Sequence, residues 1–389
     1  MSMYFDYAAT TPLHPKALEA MMPFLTDNFA NPSSAYTPAR EARKAIDAAR
    51  KQVACAIGAQ PEEIFFVGSG TEADNWAIYG ILEAQKKKGN HMIISAVEHH
   101  GVLYTCRHLE KQGYGVTYLP VDSEGFVSPE AVRGAIQPDT VLVSVILANN
   151  EVGTIQPLKA ISEITKAAGI PLHTDAVQAV GHIPVDVNAL GVDVLSMSAH
   201  KFYGPKGIGA QYIRKGTPIL PLLRGGAQER GRRAGTEDVA GIVGMATALT
   251  VATKEIAAEA SRLTGLRDRL INELLSIPHT RLNGSRDNRL PGNVNVSFSF
   301  IEGESLLLHL DMQGCQASTG SACSSGALEP SHVLTAMGIS HELTNGAIRF
   351  SLGRDTTEDD IIKLVEIVTK SVGRLRELSP LYDDYLKKG

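Results

Sequence analysis

Seven short apolar runs lie between residues 64 and 213, and stretches of helical periodicity separate most of them. The runs cover 64–67, 91–97, 116–121, 141–147, 170–174, 192–197 and 208–213. Several are apolar at nearly every position, which suits strands covered on both faces. Between them, Ala73, Trp76, Ala77, Gly80 and Ile81 repeat at helical spacing, and helices are expected over 100–112, 128–136 and 158–168. Ser128 and Pro129 supply a cap and a first-turn proline. This alternation predicts an α/β fold with a mostly parallel, doubly wound sheet of seven strands. Helices over 15–25 and 37–57 precede the sheet, the first with Leu18, Met21, Met22 and Leu25 on one stripe. After Glu237 the texture shifts to a long helix and a smaller α+β unit. The expected division is a large domain, 14–255, and a small one made of 1–13 and 256–389.

Composition narrows the function classes. A net charge of −5 argues against a general nucleic-acid binder. No apolar run reaches the length of a membrane span, and no basic-then-apolar leader opens the chain, so a cytoplasmic location is expected. Of the four cysteines none forms a C-x-x-C pair, so no metal site is expected. Cys55, Cys106 and Cys315 read as packing residues in a reducing compartment. Cys323 stands apart, within a Ser/Gly-rich stretch over 317–330 that reads as a mobile loop, where a thiol is accessible and ionisable.

In a parallel sheet, sites form beyond the carboxyl ends of the strands. Thr71, His99, Asn150, Asp175, Gln178, Ser198, His200 and Lys201 all fall there. Each alone has a plain explanation as a cap, turn or packing residue. Together they match what pyridoxal 5′-phosphate (PLP) requires. Lys201, ending a buried strand, is the Schiff-base lysine, with Lys206 in the next turn as competitor. Asp175 can pair the ring nitrogen and Gln178 can reach the phenolic side. The Gly70–Thr71 helix start, Ser198 and His200 can hold the phosphate, and His99 can stack on the ring and move protons. Arg349, within an apolar strand, needs an anion, either a substrate carboxylate or a protein one.

With these residues in place the chain resembles the NifS/IscS-like cysteine desulfurases, within the fold-type I PLP enzymes of the class-V aminotransferase family. The likeness covers nearly the whole chain. It rests on Asp6-Tyr7-Ala8-Ala9-Thr10-Thr11-Pro12, Asn31-Pro32-Ser33-Ser34, Gly70-Thr71-Glu72, Glu98-His99, Asn149-Asn150-Glu151-Val152-Gly153, His173-Thr174-Asp175-Ala176-Val177-Gln178, Ser198-Ala199-His200-Lys201, Arg233-Ala234-Gly235-Thr236 and the Gly320-Ser321-Ala322-Cys323 loop. The resemblance implies that Lys201 binds PLP and Cys323 accepts sulfur from L-cysteine as a persulfide, releasing L-alanine. It implies that Asn150, Arg349 and Asn31 hold the substrate and that Thr236 reaches the phosphate of the neighbouring subunit in a homodimer. It also implies a sulfur-acceptor partner, such as an iron–sulfur scaffold. Two alternatives stay open: a PLP enzyme of another reaction class, which needs Lys201 but not Cys323, and a cofactor-free sulfur-relay or scaffold protein.

Overall fold

Strands in the middle of the chain are buried at every position, which requires helices over both faces of their sheet. The computed structural model describes residues 3–319 and 330–388. It opens with β1 (Met3–Tyr4), α1 (Pro15–Leu25) and α2 (Thr37–Ala56). The main sheet follows: β2 (Ile64–Val67), α3 (Gly70–Gln85), β3 (His91–Ser95), α4 (His100–Glu110), β4 (Gly115–Leu119), α5 (Pro129–Ala135), β5 (Thr140–Ser144), α6 (Leu158–Ala167), β6 (Leu172–Asp175), α7 (Val187–Leu190), β7 (Val194–Ser198) and β8 (Gly209–Ile213). The spatial order is β2-β8-β7-β6-β5-β3-β4. All pairings are parallel except those of β8, which runs against both β7 and β2. β8 follows β7 after a turn too short for a helical crossover, and only an antiparallel return fits that length. Consecutive residues send their side chains to opposite faces. Phe66, Val143 and Leu195 join α2 in one core layer, while Phe65, Leu142 and Val194 pack with Trp76 and Ile81 in the other.

A short α8 (Gln228–Gly231) leads to the long α9 (Val239–Leu275). Beyond it come β9 (Thr280–Leu282), β10 (Asn293–Phe298), α10 (Gly303–Met312), β11 (Cys315–Gln316), α11 (His332–Ala336), α12 (His341–Asn345), β12 (Ala347–Ser351), α13 (Glu358–Glu377) and α14 (Pro380–Lys388). β12, β10 and β9 form an antiparallel sheet, and β1 pairs in parallel with β11. α9 serves two cores. Ile242, Met245 and Leu249 belong to the large-sheet layer, and Leu263, Leu270 and Leu274 to the layer on the small sheet. No residue between Leu249 and Leu263 is buried. The expected boundary at 255/256 falls inside this continuous helix. By length and hydropathy α9 could cross a membrane, but here it is packed along α1, α2 and both cores.

Two sequence expectations need correction. Cys55 is exposed, on the side of α2 away from Ala42, Ile46, Ala49 and Val53, because one helix cannot turn every apolar side chain inward. In α1 only Ala17 is buried, while Leu18, Met22 and Leu25 stand 47%, 47% and 58% exposed. The helical stripe is present, but the single chain does not cover it.

The segment after β8 is tied down by a buried ion pair. Arg50 of α2 grips both oxygens of Glu229 at 2.7 and 2.6 Å, and Glu229 also accepts the Phe66 N–H at 2.9 Å. Glu229 and Arg230 both adopt left-handed backbone angles, φ 46° and 58°, which side chains tolerate only when their surroundings fix them. Glu229→Ala strands a buried guanidinium and is expected to destabilise the fold by about 3–5 kcal/mol, read as a lower urea midpoint.

Candidate active site

β7 ends at Ser198, and one tight turn, Ala199–Lys201, places the lysine at the carboxyl edge of the sheet. The turn is closed from behind by His182, whose Nε2 contacts the Lys201 carbonyl at 2.8 Å. Lys201 Nζ reaches the amino-terminal segment, donating to the carbonyls of Ala8 at 2.6 Å and Ala9 at 2.8 Å. Gln178 Nε2 donates to the same Ala8 carbonyl at 2.9 Å, and His200 Nδ1 meets Thr10 Oγ1 at 3.1 Å. Residues 8–10 are thus a fourth wall of the site, brought there from the far end of the sequence.

The amino terminus of α3 faces Ser198. A Cβ on Gly70 would lie 2.7 Å from Val177 Cγ2 and 3.4 Å from Ser198 Cβ, so only glycine lets the helix start approach this closely. Ser69 caps the helix by accepting the Glu72 N–H, and the preceding Gly70 and Thr71 amides have no intrahelical carbonyl to meet. Such an opening suits an anionic group.

Asp175 ends β6 next to this turn. Its carboxylate accepts the Val177 N–H at 2.9 Å. Burial raises its pKa, opposed by that amide and by the Lys201 charge. His99 caps α4, its Nδ1 accepting the Gly101 N–H at 3.1 Å, so the ring hydrogen belongs on Nε2. Burial first, then the charges of Lys201 and His332, push its pKa down to about 4, so the imidazole is neutral near pH 7. This has a consequence for stability. The unfolded imidazole takes a proton near pH 6.5 and the folded one only near 4, so its contribution is full above 6.5 and is lost as pH falls through that window. His99→Gln is expected to flatten the loss of stability between about pH 6.5 and 4 by roughly 2–3 kcal/mol. Denaturant titrations at several pH values read this directly.

Arg349 projects from β12 of the other sheet. Its guanidinium pairs with Asp6 at 2.8 Å and donates to the Asn150 carbonyl at 2.9 Å, while its buried Nε has no hydrogen-bond partner among the described residues. Of the two anions considered for Arg349, the protein one is present as Asp6. Arg349 also holds Ser318, which precedes the Cys323 segment in sequence. Ser318 and Arg349 form an antiparallel bridge, the Ser318 N–H donating to the Arg349 carbonyl at 3.2 Å and the Arg349 N–H returning at 2.6 Å. On the far side of that loop, Ser331 Oγ donates to Glu151 Oε2 at 2.5 Å, and His332 Nε2 contacts the Glu98 carbonyl at 2.9 Å. Both ends of segment 320–329 are therefore rooted beside Asn150 and His99.

Cys323 and the Gly320-Ser321-Ala322 run lie outside the described residues. Thr71, at the α3 start, is exposed. Asn31 is exposed and its Oδ1 accepts the Ser33 N–H, and Thr236 is exposed on the segment before α9. Sequence reasoning gave no individual role to Asp6, Ala8, Asp74, Glu98 or Glu151. Asp6 and Ala8 carry no strand-end signal, and the buried acids read as ordinary helix or turn residues.

A family profile described as "Aminotransferase class-V" matches residues 3–364. The chain belongs to the class-V aminotransferases. The match takes in every member of the Lys201 cluster, from Asp6 to Arg349. Within this family the chain is similar to the curated "Cysteine desulfurase IscS" of Methanosarcina thermophila, 56% identical over 98% of this chain and 94% of that protein. A solved "NIFS-LIKE PROTEIN" superposes with a TM-score of 0.91 at 39% identity, over 96% of this chain and 100% of the other. A third class-V relative, solved as "SspA in complex with cysteine", gives a TM-score of 0.81 at 39% identity, covering 90% and 99% of the two chains.

Proposed function

We propose that this chain is a PLP-dependent cysteine desulfurase that converts L-cysteine to L-alanine and carries the sulfur on Cys323. The observation that carries the reading is the rooting of segment 320–329 at both ends on the cluster that holds Lys201.

The side chains present fit the cofactor. The Gly70 opening and Ser198, with His200 and Thr71 near it, would take the phosphate. Asp175 would face the ring nitrogen, Gln178 the phenolic oxygen and His99 the ring face. Lys201 would be the point of attachment. When bound, PLP supplies an electron sink that makes the bonds to the substrate α-carbon labile. Lys201 Nζ then removes and returns protons at substrate carbon. Arg349 and Asn150, with Asn31, orient the substrate carboxylate, which competes with Asp6 for the guanidinium. The Cys323 thiolate attacks the substrate sulfur: an S–S bond forms, the C–S bond breaks, and the carbon that loses sulfur takes up a proton. Cys323 is left as a persulfide, and alanine departs.

Further parts of the reading follow from other features. The uncovered stripe of α1 supports a homodimer, in which Thr236 reaches the phosphate of the partner. The two cores of α9 support a large unit, 14–255, and a small one, 1–13 with 256–389, which carries Cys323. The persulfide passes to an acceptor protein such as an iron–sulfur scaffold, in a reducing cytoplasm that keeps Cys323 a thiol. The test is turnover of L-cysteine, with alanine and sulfide quantified and the Cys323 peptide weighed for one added sulfur. Alanine without added mass on that peptide would exclude sulfur transfer to Cys323, and no alanine would exclude the desulfurase.

A further inference from the structure

Asp74 lies on the first turns of α3 and is 1% exposed. Neither carboxylate oxygen has a hydrogen-bond partner among the described residues. A charged carboxylate without donors is costly in such a place. One oxygen of Asp74, one of Asp175 and one ring nitrogen of His99 all lie within 4.8 Å of one another. The backbone of α4 closes the remaining side, since a Cβ on Gly101 would sit 3.0 Å from Asp74 Oδ2 and 3.2 Å from His99 Nδ1.

Among the described residues no cation pairs with this acid. His173 Nε2 is 3.6 Å from Asp74 Oδ1, but its ring is clamped by the hydroxyls of Ser144 at 2.8 Å and Ser196 at 3.0 Å. Burial holds the His173 pKa down to about 3, so it is neutral. Ser196, whose hydroxyl also meets His173 Nε2 at 3.0 Å, is the one neighbour among the described residues that favours the charged form of Asp74. Burial, then the negative charges of Asp175 and Glu98, raise the Asp74 pKa well above the usual carboxylate range.

Two carboxyl groups this close in a dry interior do not both ionise. Asp175 is the favoured anion, because it accepts the Val177 N–H and faces the Lys201 charge. Asp74 has neither support. We propose that Asp74 is kept as the neutral acid and serves as a positioning residue, donating its proton to the Asp175 carboxylate and thereby holding that group anionic and aimed at the cofactor ring nitrogen. The bond requires the two carboxyl groups, which lie within 4.8 Å of one another, to close to hydrogen-bond distance. The inference rests on the reading that Asp175 faces that nitrogen, but the protonation state of Asp74 can be tested without it.

The first readout is the infrared spectrum of the cofactor-free protein near neutral pH. Asp74→Asn is expected to remove a neutral carboxylic-acid band. If it removes only carboxylate absorption, Asp74 is charged and the proposal is overturned. The second readout is PLP dissociation followed by fluorescence. Asp74→Asn keeps shape and a donor, and is expected to bind PLP within about threefold of the unaltered protein. Asp74→Ala loses the donor and is expected to bind about 10- to 100-fold more weakly. Equal weakening in both variants, or no weakening in Asp74→Ala, would defeat the positioning role. If Asp175→Asn, too, leaves PLP binding unchanged, the fault lies with the ring-nitrogen reading as well.

Discussion

Lys201→Ala is expected to abolish covalent PLP attachment and lower L-cysteine turnover by at least about a thousandfold. The amine has two tasks, attachment and proton transfer, and no neighbouring side chain can replace it. Lys206 lies eight positions beyond the strand end at Ser198, whereas Lys201 is built into the wall, with Nζ on the Ala8 and Ala9 carbonyls. The variant should still bind PLP through the Gly70 opening and Asp175, without covalent attachment. Borohydride reduction followed by dialysis separates the two states: the unaltered protein keeps its cofactor and the variant releases it. Retention by the variant would move the attachment to Lys206. The same change removes the Lys201 donor from the Ala9 carbonyl and leaves the Ala8 carbonyl with Gln178, at a cost of about 1–3 kcal/mol, well short of unfolding a chain this size.

Cys323→Ser is expected to leave PLP binding intact and lower alanine formation from L-cysteine by at least about a thousandfold. A serine hydroxyl is scarcely ionised near pH 7 and cannot accept a sulfur atom as a persulfide does. Because the roots of the segment, Ser318 on Arg349 and Ser331 on Glu151, are backbone and side-chain contacts away from position 323, they survive the substitution. The visible spectrum should therefore be unchanged while turnover is lost. Undiminished turnover would mean a PLP enzyme of another reaction class. Loss of both PLP and turnover would mean that the segment shapes the pocket, and not that Cys323 carries sulfur.

The two variants also separate the parts of the site that were legible in the sequence from those that were not. Strand ends were legible. Asp175, Ser198 and Lys201 follow apolar runs whose length and composition already specify buried parallel strands, and such ends collect at one edge of the sheet. The glycine-rich start of α3 was legible for the same reason. The reach of the amino-terminal segment was not. Ala8 meets Lys201 across 193 positions, and Asp6 meets Arg349 across 343. Nothing in the periodicity of residues 6–10 records that they cross from β12 to the edge of the main sheet.

What the sequence by itself determined was therefore local. Its periodicities established which residues share a face of a helix or strand, how many strands the main sheet has and which chemical groups stand at their ends. The tertiary structure alone decided the pairings: Asp6 with Arg349, Asp74 behind Asp175, β8 antiparallel to its neighbours, and an α1 stripe and a Cys55 thiol left uncovered. The physical reason is that a repeat of two or of 3.6 residues encodes the direction of a side chain relative to its own backbone. The identity of the group it meets depends on packing summed over distant segments, and no single segment carries that sum.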